Sequence, residues 1–199
     1  MTPRYVASRI NVAIDHRLKP DDPWLTRDAI DFLDQWLRPT DIFAEFGSGR
    51  STIWIAQRVR SLLSVEPDPN WHSIISSRLA ARHLNNVDYR VKFESYEIAS
   101  EIENNSLDAA LVDGKFRDQV ALEMVSKVKL GGIITIDNVN WFLPRDPKPT
   151  SPGSRSIADG TASKVWDEFI ARTANWRVYW TTNGVNDTAF FFKPADAVD

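Results

Sequence analysis

Between residues 41 and 137, short apolar segments alternate with segments of helical periodicity. Strands are predicted at 41–46, 61–66, 87–93, 107–113 and 131–137. Helices are predicted among them at 51–60, 69–84 and 118–128, from apolar residues spaced three and four apart. Consecutive parallel strands need a crossover connection, which is usually a helix. The alternation therefore predicts a parallel sheet covered by helices on both faces.

The two ends of the chain extend this pattern. Helices are predicted at 5–19 and 26–37, the second with Thr26 as its N-cap, and another at 162–174. Strands at 176–182 and 187–193 flank the turn sequence "NGVND", which favours an antiparallel hairpin. We therefore predict an α/β fold: a Rossmann-like, doubly wound, mostly parallel seven-stranded sheet with an antiparallel C-terminal hairpin and N-terminal helices.

The 199 residues are about the length of one domain. We divide it into an N-terminal helical addition (1–39), a ligand-binding core (40–138), a loop (140–160) and a C-terminal helix and hairpin (161–199). The loop is rich in proline and glycine and has no periodicity. Long irregular loops inside compact domains are often lids, so we predict that it covers a substrate.

Composition narrows the range of partners. The net charge of −3 does not favour binding to nucleic acid, and no apolar run is long enough to span a membrane. The absence of cysteine excludes disulfides, cysteine-based zinc sites and thiol nucleophiles. We expect a cytoplasmic protein with a small-molecule partner. The tryptophans of the N-terminal helices allow a homodimer face.

The sequence "EFGSGRST" (45–52) connects the first predicted strand to the first crossover helix. Its two glycines let a ligand come close to the main chain. Ser51 and Thr52 begin a helix, whose N-terminus favours a carboxylate or a phosphate. Glu66 ends the second strand, where an acid accepts hydrogen bonds from ribose hydroxyls. Together these features predict a nucleoside ligand.

The loop does not fit the common nucleotide fingerprints. A dinucleotide loop has a third glycine where this chain has Thr52, and the spacing of a P-loop is absent. Glu45 lies two residues before the first glycine, where it would repel a pyrophosphate and attract an ammonium group. An NAD(P)-linked oxidoreductase and a non-catalytic nucleoside-binding protein of the same fold stay open as alternatives.

Four segments, "EFGSGRST", "SVEPD", "LDAALVDG" and "VKLGGIITIDN", occur in the order found in class I methyltransferases that use S-adenosylmethionine (SAM), and the chain resembles that family from about residue 40 to 138. The resemblance implies methyl transfer from SAM to a small molecule, and we expect a hydroxyl oxygen as the acceptor, with a nitrogen or carboxylate acceptor left open. It places the methionine moiety over the glycine loop, the ribose on Glu66, and the adenine near Ser95 and Tyr96. The cofactor-binding residues that it implies are Glu45, Gly47, Ser48, Gly49, Ser51, Thr52, Glu66, Ser95, Tyr96 and Asp113.

A second group of residues follows strands four and five. Asp113, Asp137 and Asn138 would converge at the ligand-binding edge, and their oxygens suit Mg²⁺. They resemble the metal site of catechol- and caffeoyl-CoA-type O-methyltransferases. That family has a lysine three residues beyond the first aspartate, where this chain has Phe116, and Lys115 comes one residue earlier. Two interpretations stay open: a magnesium site formed by these residues, or metal-free catalysis with Asp113 or Lys115 as the general base.

Overall fold

The computed structural model describes residues 2–149 and 151–196. Residues 1, 150 and 197–199 lie outside the described residues. They belong to the predicted N-terminal addition, the predicted loop and the predicted C-terminal segment.

Seven strands form one sheet in the order β3-β2-β1-β4-β5-β7-β6. Strands β1 to β5 are parallel, whereas β7 runs antiparallel to both β5 and β6. This topology confirms the predicted sheet and hairpin. The strands are β1 (Ile42–Phe46), β2 (Ser61–Glu66), β3 (Val87–Val91), β4 (Leu107–Val112), β5 (Val128–Asp137), β6 (Arg177–Thr182) and β7 (Asp187–Phe192).

In the part of the chain that the structure describes, seven α-helices accompany the sheet, and six of them match predicted segments. The helices are α1 (Pro3–Leu18), α2 (Arg27–Trp36), α3 (Arg50–Ala56), α4 (Pro69–Ala81), α5 (Ser95–Glu101), α6 (Arg117–Lys127) and α7 (Lys164–Arg172). The sequence did not predict α5, because its segment SYEIASE is mostly polar, whereas α3, which has the same length, lies in a longer segment of apolar periodicity. Several boundaries also differ, the largest being these: α3 ends at Ala56, α4 at Ala81 and β3 at Val91, and β5 begins at Val128.

Helices cover both faces of the sheet. Alternate side chains of β1 point to opposite faces, so Phe43 and Phe46 belong to different core clusters. Phe46 packs with residues of α6 and α7, and Phe43 packs with residues of α2 and α3. Both phenylalanines are fully buried. The site-bearing end of β1 is thereby fixed from both sides.

The N-terminal helices differ in how they attach. Thr26 caps α2, because its Oγ1 accepts a hydrogen bond from Ala29 N (3.3 Å), and its hydroxyl also bonds to that of Thr181 on β6. In α1 Tyr5 is buried, but the apolar side chains along the helix are exposed: Val6, Ile10, Ile14 and Leu18. The homodimer face stays a prediction. Within the described ranges, no helix has the length and apolar character to cross a bilayer.

The predicted loop is irregular apart from two 3-10 turns, Val139–Trp141 and Ile157–Asp159. Its base is fixed by Asn140, which is fully buried. Asn140 Nδ2 donates to Ser154 Oγ (2.9 Å), and its Oδ1 accepts from Asp187 N (3.1 Å) at the start of β7. Its carbonyl oxygen accepts from Arg155 N (3.0 Å). One buried amide therefore joins both ends of the loop to the sheet.

We predict that Asn140→Ala lowers the free energy of unfolding by about 2 kcal/mol, because it leaves buried partners without hydrogen bonds. Urea unfolding measures this change, and hydrogen exchange should show faster exchange confined to the loop. Asn175→Ala is the matched control, since Asn175 is exposed. Equal stability of the two variants would contradict this role.

Candidate functional site

The loops after β1 and β4 pack main chain against main chain. Gly47 has a φ of +98°, and a Cβ built on it would lie 2.5 Å from Gly114 N. Gly47 N donates to Val65 O (2.9 Å), and Asp113 N donates to Phe46 O (2.8 Å). Both the close contact and the positive φ require glycine at position 47.

Glu45 lies beneath this loop and is fully buried. Its Oε2 accepts hydrogen bonds from Thr52 Oγ1 (2.6 Å) and Ser64 Oγ (2.8 Å). Its Oε1 has no partner of normal hydrogen-bond geometry among the described residues. Burial raises the pKa of the Glu45 carboxyl to about 7, although the hydroxyls of Ser51, Thr52 and Ser64 oppose the rise. The group is an acid that a cationic ligand would convert to its charged form.

The rest of the glycine loop is organised by two hydroxyl groups. Thr52 Oγ1 accepts from Gly49 N (2.9 Å) while it donates to Glu45, so it joins the loop to the strand end. Ser48 Oγ donates to Glu66 Oε2 (2.7 Å) and lies 2.6 Å from the hydroxyl oxygen of Tyr89. The structure thus brings the six predicted residues of this region together with Glu66. Tyr89 was not predicted as a site residue. The sequence feature that could have indicated it is its position on β3, the strand next to β2.

Glu66 ends β2 and is buried. Its Oε2 also accepts from Ser48 N (3.0 Å), and its Oε1 accepts from Asp68 N (2.9 Å). An ionised carboxylate has about four acceptor positions. Three are used here, which leaves one on Oε1 for a ligand hydroxyl.

Aromatic side chains gather where β3 and β4 end. The Phe116 ring lies 5.6 Å from that of Phe93 and 5.5 Å from that of Tyr96, both edge-on. Phe93 is 48% exposed and so offers an open apolar surface. Ser95 Oγ donates to Lys115 O (3.3 Å), and Lys115 Nζ lies 4.4 Å from the centre of the Phe93 ring. The predicted adenine residues are therefore near Phe93 and Phe116, which the sequence analysis missed.

The left-handed backbone of Phe116 helps to place that ring. Its φ is +54°, which is rare for a bulky residue, and it immediately precedes α6. Strained conformations of this kind concentrate at ligand sites. No local sequence signal indicates this conformation, because phenylalanine disfavours it.

The guanidinium of Arg117 lies among the ends of β4 and β5. Its Nη2 contacts Asp113 O (2.7 Å) and Asp113 Oδ1 (2.8 Å), and its Nε donates to Gly114 O (2.9 Å). Its Nη1 donates to Asn138 Oδ1 (3.1 Å) and to the carbonyl oxygen of Asp137. Arg117 was not predicted as a site residue, although it lies only four residues beyond Asp113, so the short connection from β4 to α6 brings the two charges together.

The two aspartates differ in access. Asp137 is almost fully buried, and its Oδ1 accepts from the hydroxyl of Thr188 (2.7 Å). Burial raises the pKa of Asp137, the charge of Asp113 adds to the rise, and Arg117 opposes it. Burial likewise raises the pKa of Asp113, and the charge of Arg117 opposes the rise. The Asp113 side chain is nevertheless 29% exposed. Asp113 is therefore the more accessible acid.

The predicted magnesium ligands do come together, but the arrangement does not fit a divalent ion. Oxygens of Asp113 and Asn138 are bonded to Arg117, and Asp137 Oδ1 is bonded to Thr188. No group of three or more potential metal-binding His, Cys, Asp or Glu side chains occurs in the part of the chain that the structure describes. The sequence left a magnesium site and metal-free catalysis open, and the magnesium interpretation did not include a cation supplied by the chain itself.

A cavity of about 540 Å³ opens beside the loop after β4. Its walls include Lys115, Phe116, Arg117, Phe142 and Trp166. The rings of Phe142 and Trp166 stack with centres 5.5 Å apart, and the guanidinium of Arg117 lies 5.6 Å from the Phe142 ring. Of the two predicted catalytic residues, Lys115 lines this space with aromatic walls, and Asp113 lies next to the lining residue Gly114 in the chain.

We predict that Gly47→Ala strongly destabilises the fold, by about 2 kcal/mol or more, because of the overlap with Gly114 and the positive φ. Gly49→Ala is the matched control, since a Cβ there meets nothing within 4 Å. Thermal unfolding of both variants measures the effect. A Gly47→Ala variant as stable as Gly49→Ala would refute the packing argument.

We also predict that Glu45→Gln is more stable than the parent at pH 8, by up to about 3 kcal/mol. The folded state holds the Glu45 proton more tightly than the unfolded state, whose pKa is near 4.5. The parent therefore loses this stability as the pH rises from 4.5 through 7, and the glutamine variant does not. Denaturant unfolding from pH 4 to 8 measures the difference, with exposed Glu103→Gln as the control. Parallel curves for parent and Glu45→Gln would contradict it.

Neither the models of known protein families nor the curated proteins contain a match to this sequence. Solved structures do match its fold. An rRNA methylase from Streptococcus thermophilus is 13% identical with a TM-score of 0.55, over 82% of this chain and 93% of that one. The [4+2]-cyclase SpnF is 13% identical with a TM-score of 0.56, over 86% and 84%.

A third similar structure, from Streptococcus mutans, was determined in complex with SAH (S-adenosylhomocysteine). It is 11% identical with a TM-score of 0.54, over 82% of this chain and 94% of that one. At sequence identities this low, the structural similarity establishes the fold alone and leaves the reaction open. The chain has the Rossmann-like α/β fold of the class I methyltransferases that its sequence motifs resemble.

Proposed function

We propose that this protein is a SAM-dependent methyltransferase that methylates a hydroxyl oxygen of a small molecule. The observation that supports this most directly is Glu45, a buried carboxyl group beneath the glycine loop with an unpaired Oε1. An unsatisfied buried oxygen is costly. The ammonium group of the methionine moiety of SAM would supply the missing donor. Because Glu45 has no exposed surface, the loop at 47–52 has to shift when this group enters.

The remaining parts of SAM have matching partners. Ser48 bonds to Oε2 of Glu66 and Asp68 N bonds to Oε1, which leaves one acceptor position on Oε1. That position suits a ribose hydroxyl. The exposed face of Phe93, with Phe116 beside it, suits the flat apolar surface of adenine. Asp113, in the loop that packs on Gly47, would complete the cofactor contacts.

Methyl transfer from a sulfonium to an oxygen is an in-line displacement, and alignment of the reactants can contribute about 7–11 kcal/mol. The cavity lined by Lys115, Phe116 and Arg117 is the candidate acceptor site. Asp113 is the first candidate base, although its ion pair with Arg117 makes it a weaker one. Lys115 is the second candidate. The 140–160 segment would cover the acceptor, with Trp141, which is 44% exposed, available for stacking.

A small acceptor is favoured over RNA by charge. The net charge of −3 would repel a polyanion, and the likeness to an rRNA methylase concerns the fold. A cytoplasmic location would suit such an enzyme. Glu66 is equally suited to the ribose of NAD(P), so an oxidoreductase is the second candidate. Its weakness is Thr52, a fully buried residue bonded to Glu45 where a dinucleotide loop has glycine.

Calorimetric titration with S-adenosylhomocysteine, with NAD⁺ as the comparison ligand, tests the proposal. We expect micromolar binding of the first and none of the second. Affinity should fall below about pH 7, because the ammonium binds the ionised form of Glu45 and the proton must leave. Glu66→Gln should weaken binding about ten-fold. Glu94→Gln is the matched control, because Glu94 makes no side-chain cap hydrogen bond to α5.

Binding of NAD⁺ without the homocysteine compound would overturn the assignment. Turnover separates a catalyst from a non-catalytic binding protein of the same fold. Release of S-adenosylhomocysteine from SAM is measured with a panel of phenols and catechols, for the parent, Asp113→Asn and Lys115→Met. A catalyst should lose rate about 100-fold in at least one variant. Binding without turnover across the panel would support the non-catalytic alternative.

A further inference from the structure

We infer that Arg117 is a resident cation that occupies the place of a divalent metal ion where β4 and β5 end. An arginine side chain has five N–H donors in a fixed plane. Five acceptors surround Arg117: the carbonyl oxygens of Asp113, Gly114 and Asp137, and the side-chain oxygens Asp113 Oδ1 and Asn138 Oδ1. Four of these oxygens accept hydrogen bonds, and Asp113 Oδ1 lies 2.8 Å from Nη2 as an ion-pair partner; the Arg117 side chain is only 14% exposed.

The acceptors are the kind of oxygens that a hard cation collects. They combine a carboxylate, an amide and three main-chain carbonyls from two adjacent loops. A second carboxyl group, that of Asp137, lies close enough for its charge to interact with Arg117 and with Asp113. One permanent positive charge therefore serves two acids, as a bound ion would.

The surroundings hold the guanidinium in this orientation. The Phe142 ring lies 5.6 Å from its central carbon. Asn138 has a φ of +51°, a left-handed conformation that asparagine tolerates better than most residues, and its side-chain oxygen faces Nη1. The planar, always charged group of arginine matches such a set of oxygens better than lysine would.

The engagement of its nitrogens defines what Arg117 does. Four hydrogen bonds and the ion pair with Asp113 engage all three nitrogens of the guanidinium, so the group is already committed to the two loops and not directed at the anionic group of a substrate. Arg117 is therefore a positioning residue: it fixes Asp113 and the two loops, and it excludes a metal ion from their oxygens. The inference concerns the free protein and holds whether or not methyl transfer is its reaction.

Titration with Mn²⁺ alone, followed by calorimetry and electron paramagnetic resonance, tests it on the full chain. We expect no saturable binding to the parent up to about 1 mM. Arg117→Gln, which keeps the length and removes the charge, should bind Mn²⁺ at least ~10-fold more tightly. Adding Asp113→Asn to that variant should abolish the gain, because it removes the most accessible charged ligand.

Arg27→Gln is the matched control. Arg27 also bridges two aspartates, Asp22 and Asp31, each at 2.8 Å, but the pairs are exposed and lack the surrounding carbonyl oxygens. This variant should gain no Mn²⁺ binding. If Arg117→Gln alone is unfolded, Mn²⁺ should restore its far-UV circular dichroism, because a ligand that binds the folded state stabilises it.

Three results would overturn the inference. One is saturable Mn²⁺ binding to the parent that Asp113→Asn abolishes. Another is a folded Arg117→Gln variant with no gain in Mn²⁺ binding. The third is an unfolded Arg117→Gln variant that Mn²⁺ does not restore.

Discussion

One guanidinium group joins the two loops on which the site depends. Parallel strands end at the same edge of the sheet, so their carbonyl groups and terminal acids concentrate negative charge there. Arg117 neutralises that charge between β4 and β5 and bonds to both loops. The β4 loop in turn packs against Gly47, so the position of the glycine loop also depends on this contact. A single cation therefore orders the edge from β5 to β1.

Acids at this edge are buried at a cost to stability. Glu45 and Asp137 have almost no exposed surface, and burial raises the pKa of each. Such groups reduce stability when they ionise, because they lose their hydration. Hydroxyl groups from Thr52, Ser64 and Thr188 offset part of that loss. Glu45 Oε1 has no partner of normal hydrogen-bond geometry among the described residues, and the ligand proposal therefore rests on this atom.

The similar structures set a limit on what the fold implies. The same architecture occurs in an rRNA methylase and in a [4+2]-cyclase. The sheet provides a ligand-binding edge, and the side chains at that edge decide the chemistry. In this chain the edge combines a buried acid, an exposed aromatic face and a coordinated arginine, so these groups, more than the topology, define its function.

The sequence by itself determined the strand and helix order, the hairpin and the glycine loop. Those features follow from hydrophobic periodicity and turn chemistry, which are local in the chain. It also brought Asp113, Asp137 and Asn138 to one edge, because strand ends in a parallel sheet can be located from strand order. It missed α5, whose segment SYEIASE is mostly polar and therefore shows no apolar period. Only the tertiary structure decided what fills the space between those three residues. The contacts of Arg117 with Asn138 and of Phe93 with Phe116 depend on packing between segments that are distant in sequence. No local sequence pattern indicates such contacts.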